Sequence, residues 1–572
     1  MRFKTILASV LLAVMAFPMV ASAEPPADAF VYNKWQTAVK SPPMYSVENV
    51  YAVKDLGLDD ADMVSPQDLY IDRVNDKFYV ADSKANTVIR WDIADPAQPE
   101  EIYRGVYIPL SYRELRLNKL DDPQNLPEEL PEEIKLSADV TVPLFVRETA
   151  EGLKFFKFTP FVAPQGVFVA KDKIYVAGMH SINPGKIDAT GCVIVMDMEG
   201  YLLSVIYAPP ESAALSGTFV FQPQKVVVDA SDTIYVVAQG GNRGLFRYEA
   251  MPAKYMVDEK GREVEQLEGG LFKDFYGANR VQSNVRLLMD LAIKRILPKK
   301  YRDKLAVYVP TEISNAFVDE EGFIYAVTTS VIASNVDQIR RLNYHGTNIL
   351  RYNGQQRNYG ELDIARIEGN WQYSQFVDVT VDDRGFISAM DMTNARLFQY
   401  DGEANSLIIQ GKGRMGSSDQ RGTFEFPSSI DNHNRKLWVL DSALKQLTVF
   451  RLTEYGENLQ EAITLYNQGK YLEAMDYWQE VLKRNGNSEL AYTGLGRAYM
   501  KQDDFETAME YLRLGYDRKT YSEVYKQYRG IWAGDHFTLI ALAVIALVLS
   551  PYVIGKRKKI GAAVGRIFKK GA

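Results

Sequence analysis

Apolar positions follow two regimes that meet near Leu452. Before that point they alternate with polar residues in short runs bounded by Gly, Asp and Pro, the pattern of half-buried strands. After it they recur every three or four residues, the spacing of amphipathic helices. The strand runs come in triplets. The clearest is Ser65-Pro66-Gln67-Asp68-Leu69-Tyr70-Ile71-Asp72, then Lys77-Phe78-Tyr79-Val80-Ala81-Asp82-Ser83, then Asn86-Thr87-Val88-Ile89-Arg90-Trp91.

Five more copies can be aligned to it. Two keep the Pro-Gln opening, at Pro164-Gln165-Gly166 and Pro223-Gln224-Lys225. Three lack part of it, at Ser314-Asn315-Ala316, Val377-Asp378-Val379 and Pro427-Ser428-Ser429. Each copy reads as strand, tight turn, strand, loop, strand. The Asp319–Gly322 and Asp382–Gly385 turns supply the positive φ that close reversals need. Repeated triplets predict radial blades rather than two stacked sheets, so an all-β, six-bladed β-propeller is expected over residues 44–453. Val47 to Leu56 alternates and is expected to close the ring by joining the last blade. Insertions at about 100–160 and 250–309 make the spacing irregular. Within the first, residues 121–133 hold six acids and three prolines, a solvated loop. Within the second, Val285, Leu288, Met289, Ala292, Ile293 and Ile296 share one face of a basic helix over 278–304.

The blade pattern resembles the NHL repeat family, in which Pro-x-Gly-apolar is followed by Tyr-Val-Ala-Asp and Asn-x-x-Ile. Asp82 and Asn86 with Val88-Ile89 match best. The helical region resembles tetratricopeptide (TPR) repeats. Tyr471-Leu472-Glu473-Ala474-Met475 and Phe505-Glu506-Thr507-Ala508-Met509 lie 34 residues apart, and Gly496, Tyr499 and Ala508 fall at that family's small and aromatic positions. A TPR-like module is therefore expected over 455–522, as a peptide-binding groove or as a plain spacer.

The two ends place the chain in a cell. Arg2 and Lys4, the apolar stretch Ile6 to Val20 and Ala21-Ser22-Ala23 read as a signal peptide over 1–23, with an uncleaved anchor as the alternative. Phe537 to Gly555 is uncharged and nearly all apolar, and its 19 residues span roughly 28 Å as a helix, about one bilayer core. Lys556, Arg557, Lys558 and Lys559 follow at once, so the tail 556–572 is expected in the cytoplasm and the body outside. The lone Cys192 can form no intrachain disulfide. A formal net charge of −7 argues against a nucleic-acid partner.

Aligned blades put Asp68, Gly166, Lys225, Asn315, Asp378 and Ser429 in one column around the axis, with Gln67, Gln165, Gln224, Ser314 and Ser428 beside it. Gln67, Asp68, Gln165, Gln224, Lys225, Asn315 and Asp378 are the candidate ligand-binding set. Asp68, Asn315 and Asp378 could also chelate Ca²⁺ or another divalent cation, which would resemble the gluconolactonase-like propeller hydrolases. Against that, Lys225 could neutralise the acids in the same ring. His180, His345 and His433 occupy non-equivalent blade positions and read as surface histidines, without the zinc motifs of NHL lyases. The leading expectation is therefore a membrane-anchored binding or scaffold protein with no catalytic residues and no cofactor. Protein partners at the cell envelope and a carbohydrate ligand are both compatible with it, because similar tethered NHL proteins are plausible companions of bacterial sugar-uptake transporters. The rival is a tethered metal-dependent hydrolase.

Overall fold

A computed structural model describes residues 29–568 except 123–125, 128, 138–139, 151, 181–189, 211–218, 240–243, 252–253, 258–262, 267–268, 278–311, 329–336, 351–358, 363–365, 368–369, 372–373 and 412–420. The signal peptide over 1–23 and the basic helix over 278–304 lie outside the described residues. The chain divides into a strand unit, which holds residues 36–453, and a helical unit, which holds 454–572.

Six antiparallel sheets of the strand unit begin with the strands Pro66–Asp72, Pro164–Ala170, Pro223–Val228, Ile313–Val318, Phe376–Val381 and Pro427–His433. Each of these first strands packs against the next, and the sixth packs against the first, so they close a circuit. The arrangement is that of a β-propeller. Five of the sheets have at least four strands, and the one starting at Ile313 has three among the described residues.

Alternation along each strand explains the core. Both faces of a blade are covered by its neighbours, so middle strands such as Phe78 to Ala81 and Ile234 to Ala238 are buried on both sides. Phe78 stacks on Trp91 at 4.9 Å and meets Trp438 at 5.3 Å, joining the first sheet to the last. Each such aromatic removes on the order of 150–250 Å² from water, worth about 4–6 kcal/mol before entropy is charged. Tyr45–Ala52 pairs antiparallel with Gln446–Leu452, from Tyr45 opposite Leu452 to Ala52 opposite Gln446. That strand, near the start of the ring, completes the sheet near its end, and its withdrawal would leave an open edge.

Three features depart from the sequence reading. Pro99–Tyr103 and Gly270–Tyr276 are the fourth strands of the first and third sheets, although they fall at or inside the expected insertions. Gly105–Pro109, Glu133–Lys135, Thr141–Thr149 and Gly152–Pro160 also build a small sheet of four strands around Leu110, Leu120, Ile134 and Phe155, and the described acids Asp121, Asp122, Glu129, Glu132 and Glu133 of this segment are exposed. Ala29–Tyr32 and Ala38–Lys40 extend the fifth sheet, so the strand unit begins before residue 44.

In the helical unit, α1 (Glu454–Asn467), α2 (Ala474–Arg484), α3 (Glu489–Lys501), α4 (Phe505–Leu514) and α5 (Arg518–Asp535) precede the long α6 (Phe537–Phe568). Ser488, Asp504 and Asp517 cap α3, α4 and α5 by accepting N–H bonds from Ala491, Thr507 and Thr520. Two glycines leave no room for a side chain between helices. A Cβ on Gly494 would lie 2.4 Å from the Trp478 ring, and one on Gly496 would lie 2.6 Å from Leu512. The segment Phe537–Ile554 of α6 has a mean hydropathy of 2.5 and no buried share, so it is long and apolar enough to cross a membrane.

Candidate functional site

The axis of the ring is built from a repeated irregularity. In all six sheets the first strand shifts register at its second residue, between Pro66 and Asp68, Pro164 and Gly166, Pro223 and Lys225, Ile313 and Asn315, Phe376 and Asp378, and Pro427 and Ser429. A bulge of this kind re-aims the residue that follows it. The aligned column of Asp68, Gly166, Lys225, Asn315, Asp378 and Ser429 follows the bulges and is buried. The bulged residues Gln67, Gln165, Gln224, Ser314 and Ser428 are half-buried. The contacts of Gln67 and Gln165 are local, whereas Ser314 also reaches the next sheet. Gln67 donates to Ser65, Gln165 to the Ala163 carbonyl, and Ser314 to the carbonyls of Val327 and Phe376.

Four members of the column form one network. The Lys225 ammonium pairs with Asp68 Oδ1, whose partner oxygen Oδ2 accepts the Val167 N–H at 2.8 Å. Ser429 Oγ lies 2.5 Å from Asp378 Oδ2 and 3.3 Å from Asp68 Oδ1, so it bridges the two carboxylates. Asp378 Oδ2 also accepts the Ile430 N–H, and its Oδ1 accepts that of Val379. Burial drives the electrostatics. It lifts the Asp68 carboxyl above its usual range, with Lys225 offsetting part of the rise. It pushes Asp378 up to about 7, helped by the neighbouring Asp68 charge and opposed by Lys225. For Lys225 burial favours the neutral amine, but the carboxylates of Asp68 and Asp378 prevail and its pKa goes up. Gly166 lies where two first strands touch, and a Cβ there would meet the Gln224 carbonyl oxygen at 2.3 Å.

This donor set does not suit a divalent cation. One Asp68 oxygen holds an ammonium and the other a backbone N–H. Both Asp378 oxygens are engaged, and Asn315 Oδ1 accepts the Ala316 N–H at 2.8 Å rather than joining the two acids. Calcium needs six or more converging oxygens, and these lone pairs point elsewhere. Among the described residues no group of three or more His, Cys, Asp or Glu side chains is placed to hold a metal. The histidines also differ from expectation. Only His345 is exposed; His180 and His433 are buried, and burial lowers His180 to about 4.

Two further features were not read from the sequence, and only the first follows from strand alternation. Two residues beyond the column lies Asp431, which accepts the Ile71 and Asn432 N–H groups and the Thr380 hydroxyl and pairs with Arg73. The period of two from Ser429 and Asp378 would have located Asp431 and Thr380. Arg73 and Asn432, the neighbours of Asp431, border a cleft of about 830 Å³ that reaches the 319–322 and 382–385 turns. Its walls come from several sheets, so no local pattern marks it.

The residues behind the family resemblance have mechanical roles here. Asp82 accepts N–H bonds from Val64, Ser65, Lys84 and Ala85, and Asp441 does the same for Glu425, Phe426, Ala443 and Leu444. Asn86 has a φ of 57° and accepts the Ala163 N–H, tying the first sheet to the start of the second.

No known family model matches the chain. No curated protein matches it either. Among solved structures it is similar to virginiamycin B lyase from Staphylococcus aureus, at 10% identity and a TM-score of 0.33, over 72% of this chain and 100% of that one. The Dos1 propeller is similar at 10% identity and a TM-score of 0.29, over 70% of this chain and 72% of that one. Hydrazine synthase from Kuenenia stuttgartiensis is similar at 9% identity and a TM-score of 0.32, over 68% and 96%. Likenesses this distant concern the fold alone.

Proposed function

We propose that this chain is a single-pass membrane protein whose six-bladed NHL-type propeller and TPR-type helices act outside the cytoplasm as a binding and scaffolding platform. The observation that carries this reading is α6, whose apolar segment Phe537–Ile554 has no buried residue and is followed closely by a cluster of cations. A helix of that composition costs far too much in water to serve as a solvent-facing stalk, and a bilayer removes the cost. The propeller supports a non-catalytic role. Its buried axial charges are consumed by one another, which suits a rigid frame better than a reacting centre. Accessory service to a solute-uptake or other cell-envelope complex, with protein partners and a carbohydrate ligand, is the setting that fits such a platform. The hydrolase reading has less support, because Lys225 sits where a cation would be needed.

Protease added to intact cells that express the chain tests the arrangement. The propeller and helices should be digested and a short basic remnant spared. A propeller that survives while an exposed control protein is cut would refute it. Cross-linking in the same cells should join the chain to a second membrane protein, and recovery of the chain alone would count against the scaffold.

A further inference from the structure

The cleft beside Asp431 is floored by cations that rest on aromatic rings. Arg73 lies 5.3 Å from the centre of Phe317, and Arg341 lies 4.0 Å from Phe323 and 5.5 Å from Tyr325. A cation held over a ring in this way is anchored by the attraction of its charge for the ring face, which uses up none of its N–H donors.

The inner acids are largely committed to backbone. Asp319 Oδ1 accepts the Phe323 N–H at 2.7 Å, and Asp382 Oδ1 accepts those of Arg384 and Phe386. Arg341 therefore meets only one carboxylate by a hydrogen bond, its Nη2 donating to the exposed Glu321 at 3.3 Å, while Asp319 stays at 3.9 Å. Its Nε is buried without a hydrogen-bond partner among the described residues. A guanidinium has five N–H donors, and those of Arg341 exceed what its neighbours accept. The acids Glu320, Glu321 and Asp383 stand at the exposed rim, where water screens them and weakens the hold of Glu321 on Arg341.

Together these features divide the cleft into an inner zone that favours one negative charge and an outer zone of hydrogen-bond acceptors. The rim acids would repel a multiply charged phosphate, whereas hydroxyl groups could donate to them. We infer that the cleft binds a small hydroxylated monocarboxylate, with its carboxylate on Arg341 beside Arg73 and its hydroxyls toward Glu320, Glu321 and Asp383. The volume of about 830 Å³ lies within the range of small-molecule sites. The inference rests on the propeller's being a ligand platform and specifies which ligand chemistry one of its ends accepts.

Calorimetric titration of the full chain in detergent tests it, with glucuronate, glucose, acetate and inorganic phosphate as probes. Glucuronate should bind saturably and about tenfold or more tighter than the other three, because only it carries both the charge and the hydroxyls. Arg341→Met should weaken glucuronate by about 10- to 100-fold, the worth of a charge-assisted contact. Arg341→Lys keeps the charge but not the fork and should fall between the two. Lys171→Met, which removes an exposed ion pair with Asp232, should leave binding unchanged. Unfolding midpoints of the variants separate lost binding from lost folding. No saturable glucuronate binding, equal binding of glucose or phosphate, or full binding by a folded Arg341→Met protein would each overturn the inference. None of these outcomes alters the protease result above, so the two readings fail separately.

Discussion

Replacing Lys225 by Met should be among the most damaging single changes in the propeller, because it leaves a carboxylate buried without its cation. Asp68 and Lys225 are 2% and 6% exposed, so water cannot take the place of the missing ammonium. Asp68 would keep the Val167 N–H at 2.8 Å and the distant Ser429 hydroxyl, while Asp378 adds a second negative group across that hydroxyl. Breaking one side of a buried pair costs about 3–5 kcal/mol, much of it the penalty on the stranded partner. The cost depends on pH in a definite direction. Without Lys225 the folded-state pKa of Asp68 rises further above its unfolded value, so between the two values the folded form holds the extra proton and gains stability as pH falls. The deficit should therefore be largest near pH 8 and shrink towards pH 5. Adding Asp68→Asn removes the stranded charge and should restore about half of the loss or more. Urea unfolding of the full chain in detergent, followed by amide hydrogen exchange in peptides that cover Pro66–Asp72 and Pro427–His433, measures these quantities where the pair acts. A loss below about 1 kcal/mol at pH 8, or one that grows in acid, would refute the argument.

Gly166→Ala should destabilise the propeller by about 1–3 kcal/mol, because the new methyl meets the Gln224 backbone rather than a movable side chain; urea unfolding reads the shift. Asp441→Ala strips four backbone N–H groups of their acceptor. It should cost about 2 kcal/mol or more and open the loops at 425–426 and 443–444 to limited proteolysis, visible by mass spectrometry. His180 stays neutral when folded because burial lowers it to about 4. As pH falls from about 6.5 towards that value the unfolded chain binds the proton first, so stability is lost. His180→Phe should flatten that part of the pH profile in thermal unfolding, and an unchanged acid limb would contradict the assignment.

The strand triplets were legible because a blade is a local object: three runs joined by short turns, each with its own alternation. The closing role was legible for residues 47–52 from alternation combined with the need to pair an open edge, whereas Val53–Leu56, expected in the same strand, form a short 3-10 helix. What escaped was the fourth strand in Pro99–Tyr103 and Gly270–Tyr276, because a loop or a hairpin precedes it and its alternation is weak. The small sheet within 105–160 escaped for a different reason. Its acids and prolines dominate the composition, while the few apolar residues that hold it together are scattered along the segment. His180 and His433 were read as surface groups because a histidine carries no burial signal of its own. Packing of neighbouring sheets decided their environment.

The residues alone determined that repeated strands give way to paired helices and then to one long apolar helix, since each of these depends on period and length. They also brought Asp68, Lys225, Asp378 and Ser429 into one aligned column, because equivalent positions of a repeat meet at its axis. Only the closed ring decided what that column does there. It turned a plausible set of cation ligands into a self-satisfied charge network, because Lys225 comes from a different blade than the acid it neutralises. It also placed the accessible chemistry at Arg341 and Arg73, residues far apart in the chain that share a cleft only once the first and fourth sheets are fixed around the same axis.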